Sequence, residues 1–134
     1  MLKQVVRIVV VAVAVLTGLA SCGGPDGEIM KREGDGYVIN TTKLSREVIG
    51  YEGATPVKIY ITAGKVTKVE ALPNIETPRY FARVKTHLLP QWNGLTVSQA
   101  LKADVDGVSG STYSARAVKE NVRLGLEYYK RYAK

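Results

Sequence analysis

The residues best suited to chemistry lie in one short loop, residues 106–114, which reads Asp-Gly-Val-Ser-Gly-Ser-Thr-Tyr-Ser. Its two glycines, Gly107 and Gly110, carry no side chain, so a ligand could approach the backbone closely. Serine or threonine occupies four of the six final positions: Ser109, Ser111, Thr112 and Ser114. A helix is predicted directly after the loop, and the N–H groups and positive dipole end of a helix suit a phosphate group. Serine, threonine and glycine are also ordinary helix-cap and loop residues, so the loop alone leaves both interpretations open.

The helices that position this loop are indicated by the hydrophobic pattern. Apolar residues recur at spacings of three and four after the loop and predict a long C-terminal helix over residues 114–132. Thr77 is a favourable N-cap with Pro78 at the first helical position, which predicts a helix over residues 77–89. A short helix is predicted over residues 96–102.

Strands are predicted before these helices. Residues 56–62 alternate between apolar and polar, which is typical of a half-buried strand. A two-residue connection at 63–64 joins it to a strand over residues 65–72, and the pair forms a β-hairpin. Residues 36–40 and 45–50 are further strand candidates. Strands followed by helices predict an α+β fold: a small antiparallel sheet with helices packed on one face and a long C-terminal helix.

The N-terminus has the features of an export signal over residues 1–21. Lys3 and Arg7 give a basic start, residues 5–16 are almost entirely apolar, and small residues precede Cys22. The apolar run is shorter than the roughly 20 residues that span a bilayer, which favours a cleaved signal over a retained transmembrane helix. The segment before Cys22 resembles a lipobox, at which bacterial lipoproteins are diacylated on cysteine and cleaved.

Cys22 is the only cysteine, so neither an intramolecular disulfide nor a cysteine metal site is expected. Lipidation would use this thiol. Residues 22–36, rich in glycine and charge, are then predicted to be a lipidated tether, and residues 37–134 the functional domain. We expect an exported lipoprotein on the cell membrane or the outer membrane, with its domain outside the cytoplasm.

The remaining composition narrows the function without fixing it. Without Lys3 and Arg7 of the predicted signal, 17 of the 19 basic residues remain against 12 acidic ones, and this net charge of +5 would suit anionic lipid, an acidic partner or a phosphate-bearing ligand. An exported chain with no basic-aromatic pattern is not expected to bind nucleic acid. Trp92 is predicted to lie in the core, and His87, with no second ligand type nearby, is predicted to have a surface or packing role and not to bind metal. No acid–base pair or activated nucleophile is visible, so a self-contained enzyme is not expected.

Residues 106–114, followed by Arg-Ala-Val at 116–118, resemble the signature of the FMN-binding domain family. This family includes the C subunit of the sodium-pumping NADH:quinone oxidoreductase and many bacterial lipoproteins. Two upstream segments resemble family segments in the expected order: Gly-Tyr-Glu-Gly at 50–53 and Glu-Thr-Pro at 76–78. Two departures are visible, because Ser111 replaces the usual alanine and Arg-Tyr-Phe at 79–81 replaces Gly-Leu-Gly.

The resemblance implies an FMN cofactor joined by a phosphoester to Thr112, which a separate flavin transferase would attach. It implies a lipid-anchored electron carrier that exchanges electrons with a membrane or periplasmic redox partner. The expected cofactor-binding residues are Thr112, Ser111, Gly110, Ser109, Asp106, Glu76 and Thr77. The alternative is a lipoprotein of the same fold without covalent flavin, acting as a binding or scaffold module.

Overall fold

The computed structural model of the protein describes residues 29–106 and 111–134. The predicted export signal, Cys22, and two expected cofactor-binding residues, Ser109 and Gly110, lie outside the described residues. Among the helices in the described ranges, none has both the length and the apolar character needed to cross a membrane.

Four antiparallel strands form one sheet in which neighbours in sequence are neighbours in space. The strands are Met30–Glu33 (β1), Gly36–Asn40 (β2), Val57–Thr62 (β3) and Lys65–Ala71 (β4). The predictions of β2, β3 and β4 are confirmed. The β3–β4 connection has positive φ at both Ala63 (51°) and Gly64 (73°), which gives a two-residue turn whose twist matches that of the flanking strands.

β1 corrects the prediction that the tether extends to residue 36. Met30–Glu33 pairs with β2, with Met30 opposite Ile39, and Gly34 makes the turn between them with a φ of 59°. Three of the four β1 residues are exposed, so this edge strand has no apolar alternation in its sequence. β1 forms because its backbone pairs with β2, so the pattern of its side chains could not predict it.

The strand predicted over residues 45–50 is wrong. The chain makes turns there: the Ser45 hydroxyl donates a 2.8 Å hydrogen bond to the Thr41 carbonyl, and the Val48 N–H donates to the Ser45 carbonyl. Ile49 alone forms a single bridge, to Ala54. Serine and threonine hydroxyls can bond to nearby backbone groups in this way, which gives the backbone an alternative to pairing in a sheet.

The helical part begins as predicted, with Thr77 as N-cap and Pro78 at the start of Pro78–Arg83 (α1). The prediction that this segment ends before Pro90 is wrong. It widens into a π-helical turn, Val84–Leu88, and continues as a 3₁₀ turn, Leu89–Trp92. Pro90 is accommodated because it stands in the first turn of the 3₁₀ segment, where its missing N–H is not required.

Two further helices complete the fold: Val97–Lys102 (α2) and Thr112–Tyr132 (α3). Thr96 caps α2, its hydroxyl accepting from the Gln99 N–H while the Gln99 side chain accepts from the Thr96 N–H. Both helices were predicted from the sequence.

The core lies between the sheet and α3. The residues on the predicted apolar face of α3 that become buried are Ala115, Val118, Val122 and Leu126. Gly125 lets the helix lie close to the sheet, because a Cβ there would be 2.6 Å from Ile59 Cδ1. Trp92 is 3% exposed, which confirms its predicted core position, and His87 is exposed. The α+β prediction is confirmed.

A buried polar contact joins α3 to the sheet. The Thr41 hydroxyl donates a 2.6 Å hydrogen bond to Asn121 Oδ1 and accepts a 2.9 Å bond from the Val57 N–H at the start of β3. Asn121 Nδ2 donates to the Ala117 carbonyl at 2.9 Å. Thr41 and Asn121 are fully buried, so each hydrogen bond replaces one that water would otherwise provide.

Thr41→Val keeps the shape of the side chain but leaves the Val57 N–H and Asn121 Oδ1 without this partner. We expect the free energy of unfolding to fall by about 2–4 kcal/mol, because each unpaired buried group costs about 1–3 kcal/mol. Chemical denaturation measures the change. The neighbouring exposed threonine provides the control, since Thr42→Val should change stability by less than about 0.5 kcal/mol. Equal effects of the two substitutions would contradict the assigned role of Thr41.

Candidate functional site

The hydroxyl groups at the start of α3 have different surroundings. Ser111 is 5% exposed, and its hydroxyl donates a 2.9 Å hydrogen bond to the Tyr80 carbonyl. Ser114 is equally buried and donates a 2.6 Å hydrogen bond to Glu76 Oε1. Thr112, between them, is exposed. Of the three serine and threonine hydroxyls in the described part of the loop, that of Thr112 is therefore the one presented to a reagent in solution.

The N-terminus of α3 lacks a side-chain cap. Ser111 is the N-cap residue, but its hydroxyl bonds to Tyr80 and not to the first-turn N–H groups of α3. Its carbonyl accepts the first helical hydrogen bond, from the Ala115 N–H at 2.9 Å. The N–H groups ahead of Ala115 have no acceptor within the helix, so the positive end of α3 points toward Thr112.

Glu76 joins this helix start to the loop at 50–53. One carboxylate oxygen, Oε1, accepts from the Tyr51 N–H at 2.8 Å and from the Ser114 hydroxyl. The other, Oε2, accepts from the N–H groups of Glu52 (2.5 Å) and Gly53 (3.3 Å). Glu76 is 4% exposed and both its oxygens are occupied. Glu76 therefore holds two segments together, and its contact with the cofactor stays a prediction.

Local sequence explains why this arrangement forms. A Cβ at Gly50 would lie 2.1 Å from Glu76 Oε1, so only glycine fits against the carboxylate. The Gly50 N–H donates a 2.7 Å hydrogen bond to the Gly53 carbonyl, which closes the loop so that its N–H groups turn toward Glu76. Asn74 Oδ1 accepts from the Glu76 N–H at 3.0 Å and fixes the backbone that carries the carboxylate.

These contacts determine the protonation state of Glu76. Burial by itself would raise the pKa of the carboxyl group, because it disfavours the charged form. The hydrogen bonds from the Ser114 hydroxyl and from the N–H groups of residues 51–53 favour the charged form and together bring the pKa below its ordinary value. Glu76 is therefore a carboxylate at neutral pH.

A cavity of about 410 Å³ opens beside Thr112. Its lining residues are Tyr51, Thr77, Tyr80, Ser111, Thr112, Tyr113 and Ser114. The volume lies within the roughly 300–1,000 Å³ that is typical of sites for small molecules and cofactors. The structure thus brings together Thr112, Ser111 and Thr77 among the predicted site residues.

Asp106, also predicted, lies apart from the lining of this cavity. Its side chain is exposed, and its backbone is held by Gln91: Gln91 Oε1 accepts from the Asp106 N–H and Gln91 Nε2 donates to its carbonyl, both at 3.0 Å. These two hydrogen bonds fix the backbone at Asp106, where the loop over residues 106–114 begins. Gln91 was missed from the sequence, because a single glutamine 15 residues away gives no recognisable pattern.

Three tyrosines of the cavity wall were also missed: Tyr51, Tyr80 and Tyr113. Each lies in or beside a segment that resembles the family, and this proximity is the feature of the sequence that could have identified them. Beyond Tyr113 lies a larger groove of about 670 Å³ between α2 and α3, so this tyrosine separates two concave surfaces. In the described part of the chain, no cluster of three or more histidine, cysteine or acidic residues could hold a metal ion.

The lowered pKa of Glu76 predicts an acid-dependent loss of stability. A carboxyl group whose folded pKa lies below its unfolded value of about 4.3 stabilises the fold above that pH, and this contribution is lost as the pH falls through the folded pKa. Glu76→Gln should lower the free energy of unfolding at pH 7 by about 1–3 kcal/mol, because an amide cannot accept all four hydrogen bonds. The difference from wild type should shrink as the pH falls below about 4.

Denaturation curves at a series of pH values measure this difference. The exposed Glu47→Gln serves as the control and should follow wild type at every pH. Wild type and both variants should all lose some stability at acid pH, because the hydrogen bond from Arg123 also lowers the pKa of Glu120. A wild-type to Glu76→Gln difference that stays constant from neutral to acid pH would contradict a stabilising carboxylate at position 76.

Comparison with known proteins agrees with this site. The family model described as the FMN-binding domain matches residues 50–127, which is more than half of the chain and includes the loop at 50–53, Glu76 and the start of α3. No curated protein matches the sequence. The predictions of the family and of its cofactor are confirmed: the chain belongs to the FMN-binding domain family, and FMN is its cofactor.

Proposed function

We propose that this protein is a lipid-anchored electron carrier whose FMN is attached covalently to Thr112. The observation that supports attachment at this residue is the difference among neighbouring hydroxyls. Those of Ser111 and Ser114 are buried and already donate hydrogen bonds, whereas Thr112 is exposed at the edge of the cavity. Ser111, which departs from the family's usual alanine, is thus occupied by the Tyr80 carbonyl and does not compete with Thr112.

The surroundings of Thr112 fit FMN. A phosphate joined to its Oγ would lie at the uncapped, positive end of α3, where first-turn N–H groups favour negative charge. The cavity next to it is lined by three tyrosines, whose rings suit a flat aromatic ligand. Thr77 also lines this cavity, which supports the proposal that it lies near the flavin.

The attachment would be made by a flavin transferase acting on FAD with a divalent metal ion. In this reaction the Thr112 Oγ forms a bond to the FMN phosphorus, the pyrophosphate bond of FAD breaks, AMP leaves, and the hydroxyl proton passes to the transferase or to solvent. Thr112 is the substrate in this step and not a catalyst. Its exposure at the first position of α3 lets the transferase reach it without unfolding the domain.

Flavin, when bound, supplies the redox chemistry, because it takes up and releases electrons in one or two steps. The protein supplies position and access. The cavity wall carries exposed side chains, so a membrane or periplasmic redox partner could approach the cofactor without opening the domain. A covalent link would prevent loss of the cofactor outside the cytoplasm, where dissociated FMN is diluted.

The lipid anchor is proposed from the sequence before the domain, where Cys22 follows an apolar segment and small residues. The sheet starts at Met30, so the segment between Cys22 and the domain is shorter than predicted. At the reach of an extended chain, about 3.3–3.6 Å per residue, it spans at most about 30 Å. The anchor would keep the domain close to the membrane that holds its redox partner.

Thr112→Ala should abolish covalent attachment of FMN. The full chain is co-produced with a flavin transferase, denatured on a gel and examined under ultraviolet light, where we expect a fluorescent wild-type band and a dark Thr112→Ala band. Ser111→Ala provides the matched control and should remain fluorescent, since its hydroxyl donates to Tyr80. A dark wild-type band, with the transferase active on another substrate, would favour the alternative of a binding or scaffold module without covalent flavin.

Cys22→Ser should abolish lipidation. Cells that produce the full chain are grown with a labelled fatty acid, and we expect label in the wild-type protein and none in Cys22→Ser. The Thr112→Ala chain is the control, because it keeps Cys22 and should retain the label. Equal labelling of the wild-type and Cys22→Ser proteins, or label in neither, would contradict an anchor at this cysteine.

A further inference from the structure

Exposed apolar side chains of the described residues are concentrated around one site. The large ones near the loop at 50–53 and the cavity are Ile49, Tyr51, Ile75, Tyr80 and Tyr113, and one other, Tyr132, lies at the far end of α3. Scattered exposed apolar residues are ordinary on a soluble protein, but a contiguous group marks a binding surface. Three members of this group, Tyr51, Tyr80 and Tyr113, line the cavity beside Thr112, where they could contact a ligand.

Within this group, Tyr51 and Tyr113 form a continuous aromatic wall. Their ring centroids are 6.1 Å apart with an angle of 37° between the ring planes. They are 69% and 62% exposed, so most of their surface has no cover from the described part of the chain. Tyr113 directly follows Thr112, which puts the wall within reach of any ring system tethered to that residue.

The two tyrosines come from distant segments, and one atom fixes both. Glu76 Oε1 accepts from the backbone N–H of Tyr51 and from the hydroxyl of Ser114, the residue after Tyr113. The carboxylate therefore sets the distance between the loop at 50–53 and the first turn of α3. Among residues 29–106 and 111–134, the hydrogen bonds to Glu76 are the ones that join the segment of Tyr51 to the segment of Tyr113.

We propose that Tyr51 and Tyr113 are the surface on which the isoalloxazine ring of FMN stacks, and that Glu76 is the positioning residue that assembles this surface. The inference deepens the proposed function and rests on FMN lying beside Thr112. Offset stacking on a tyrosine ring is favourable beyond simple burial of apolar area. The proposal also explains how the chain can lack the family's Gly-Leu-Gly after Glu-Thr-Pro. Glycines there would let the ring approach the backbone closely, whereas in this chain tyrosine side chains contact the ring.

Flavin fluorescence tests the stacking, because an electron-rich phenol ring in contact with a flavin quenches its emission. The full chain is loaded with FMN by a flavin transferase, and emission is measured per mole of bound FMN. We expect quenched emission in wild type and an increase of several-fold in Tyr51→Leu and in Tyr113→Leu. Tyr132→Leu, an exposed tyrosine at the other end of α3, is the matched control and should leave emission unchanged.

A second measurement does not need covalent loading. In a Thr112→Ala background, free FMN is titrated against the full chain, and its dissociation constant is measured by equilibrium dialysis. Each of Tyr51→Leu and Tyr113→Leu should weaken binding about 2- to 10-fold, the range expected for one aromatic pair. Tyr51→Phe should restore most of the affinity, because it keeps the ring and removes only the hydroxyl.

Glu76→Gln separates positioning from simple stabilisation. At a temperature well below its unfolding transition, the folded variant should show increased flavin emission like Tyr51→Leu, although both tyrosines are present. If Glu76→Gln lowers the melting temperature but leaves emission and FMN affinity at wild-type values, the positioning role is wrong.

The stacking itself is overturned if Tyr51→Leu and Tyr113→Leu match Tyr132→Leu in both emission and affinity. This outcome is distinct from failure of the proposed function. Loss of covalent loading in the wild-type chain would contradict the Thr112 phosphoester, while the titration with free FMN would still decide whether the tyrosines contact the ring.

Discussion

The site depends on one buried carboxylate. Glu76 accepts hydrogen bonds from three consecutive backbone N–H groups, at residues 51–53, and from the Ser114 hydroxyl. A buried charge is stable only when donors surround it, so the loop and the start of α3 must both stay in position to satisfy it. Gly50 is required by the same contact, because any side chain there would meet the carboxylate. One interaction thus links three segments that are distant in sequence.

Other contacts hold α3 in position against the sheet and α1. The Thr41–Asn121 hydrogen bond and the close approach at Gly125 hold α3 against β2 and β3. Ser111 ties the first turn of α3 to the carbonyl of Tyr80 in α1. With α3 fixed along its length, its N-terminus and the exposed Thr112 keep a constant position relative to the cavity. A rigid frame around the exposed Thr112 supports the proposal that a transferase modifies the folded domain.

Sequence reasoning succeeded where a repeating pattern of side chains reports the backbone. The β3–β4 hairpin, the start of α1 at Thr77 and the apolar face of α3 all follow from alternation, capping or helical spacing. It failed for β1, whose residues are mostly exposed, and for the site's connections. Glu76 was found by resemblance, but its partners are 23–38 residues away, and no local pattern encodes which donors will surround a carboxylate. The tyrosine wall is likewise a product of tertiary contact between the loop and α3.

The central claim is that Thr112 is the residue that carries FMN, and mass spectrometry of the signature loop tests it most directly. Trypsin cleavage after Lys102 and Arg116 releases residues 103–116, which contain all four serine and threonine residues of the loop. From chain produced with a flavin transferase, this peptide should be heavier by FMN less one water, with fragmentation assigning the group to Thr112. An unmodified peptide from protein that nonetheless contains FMN, or a group assigned to Ser109, Ser111 or Ser114, would contradict the account.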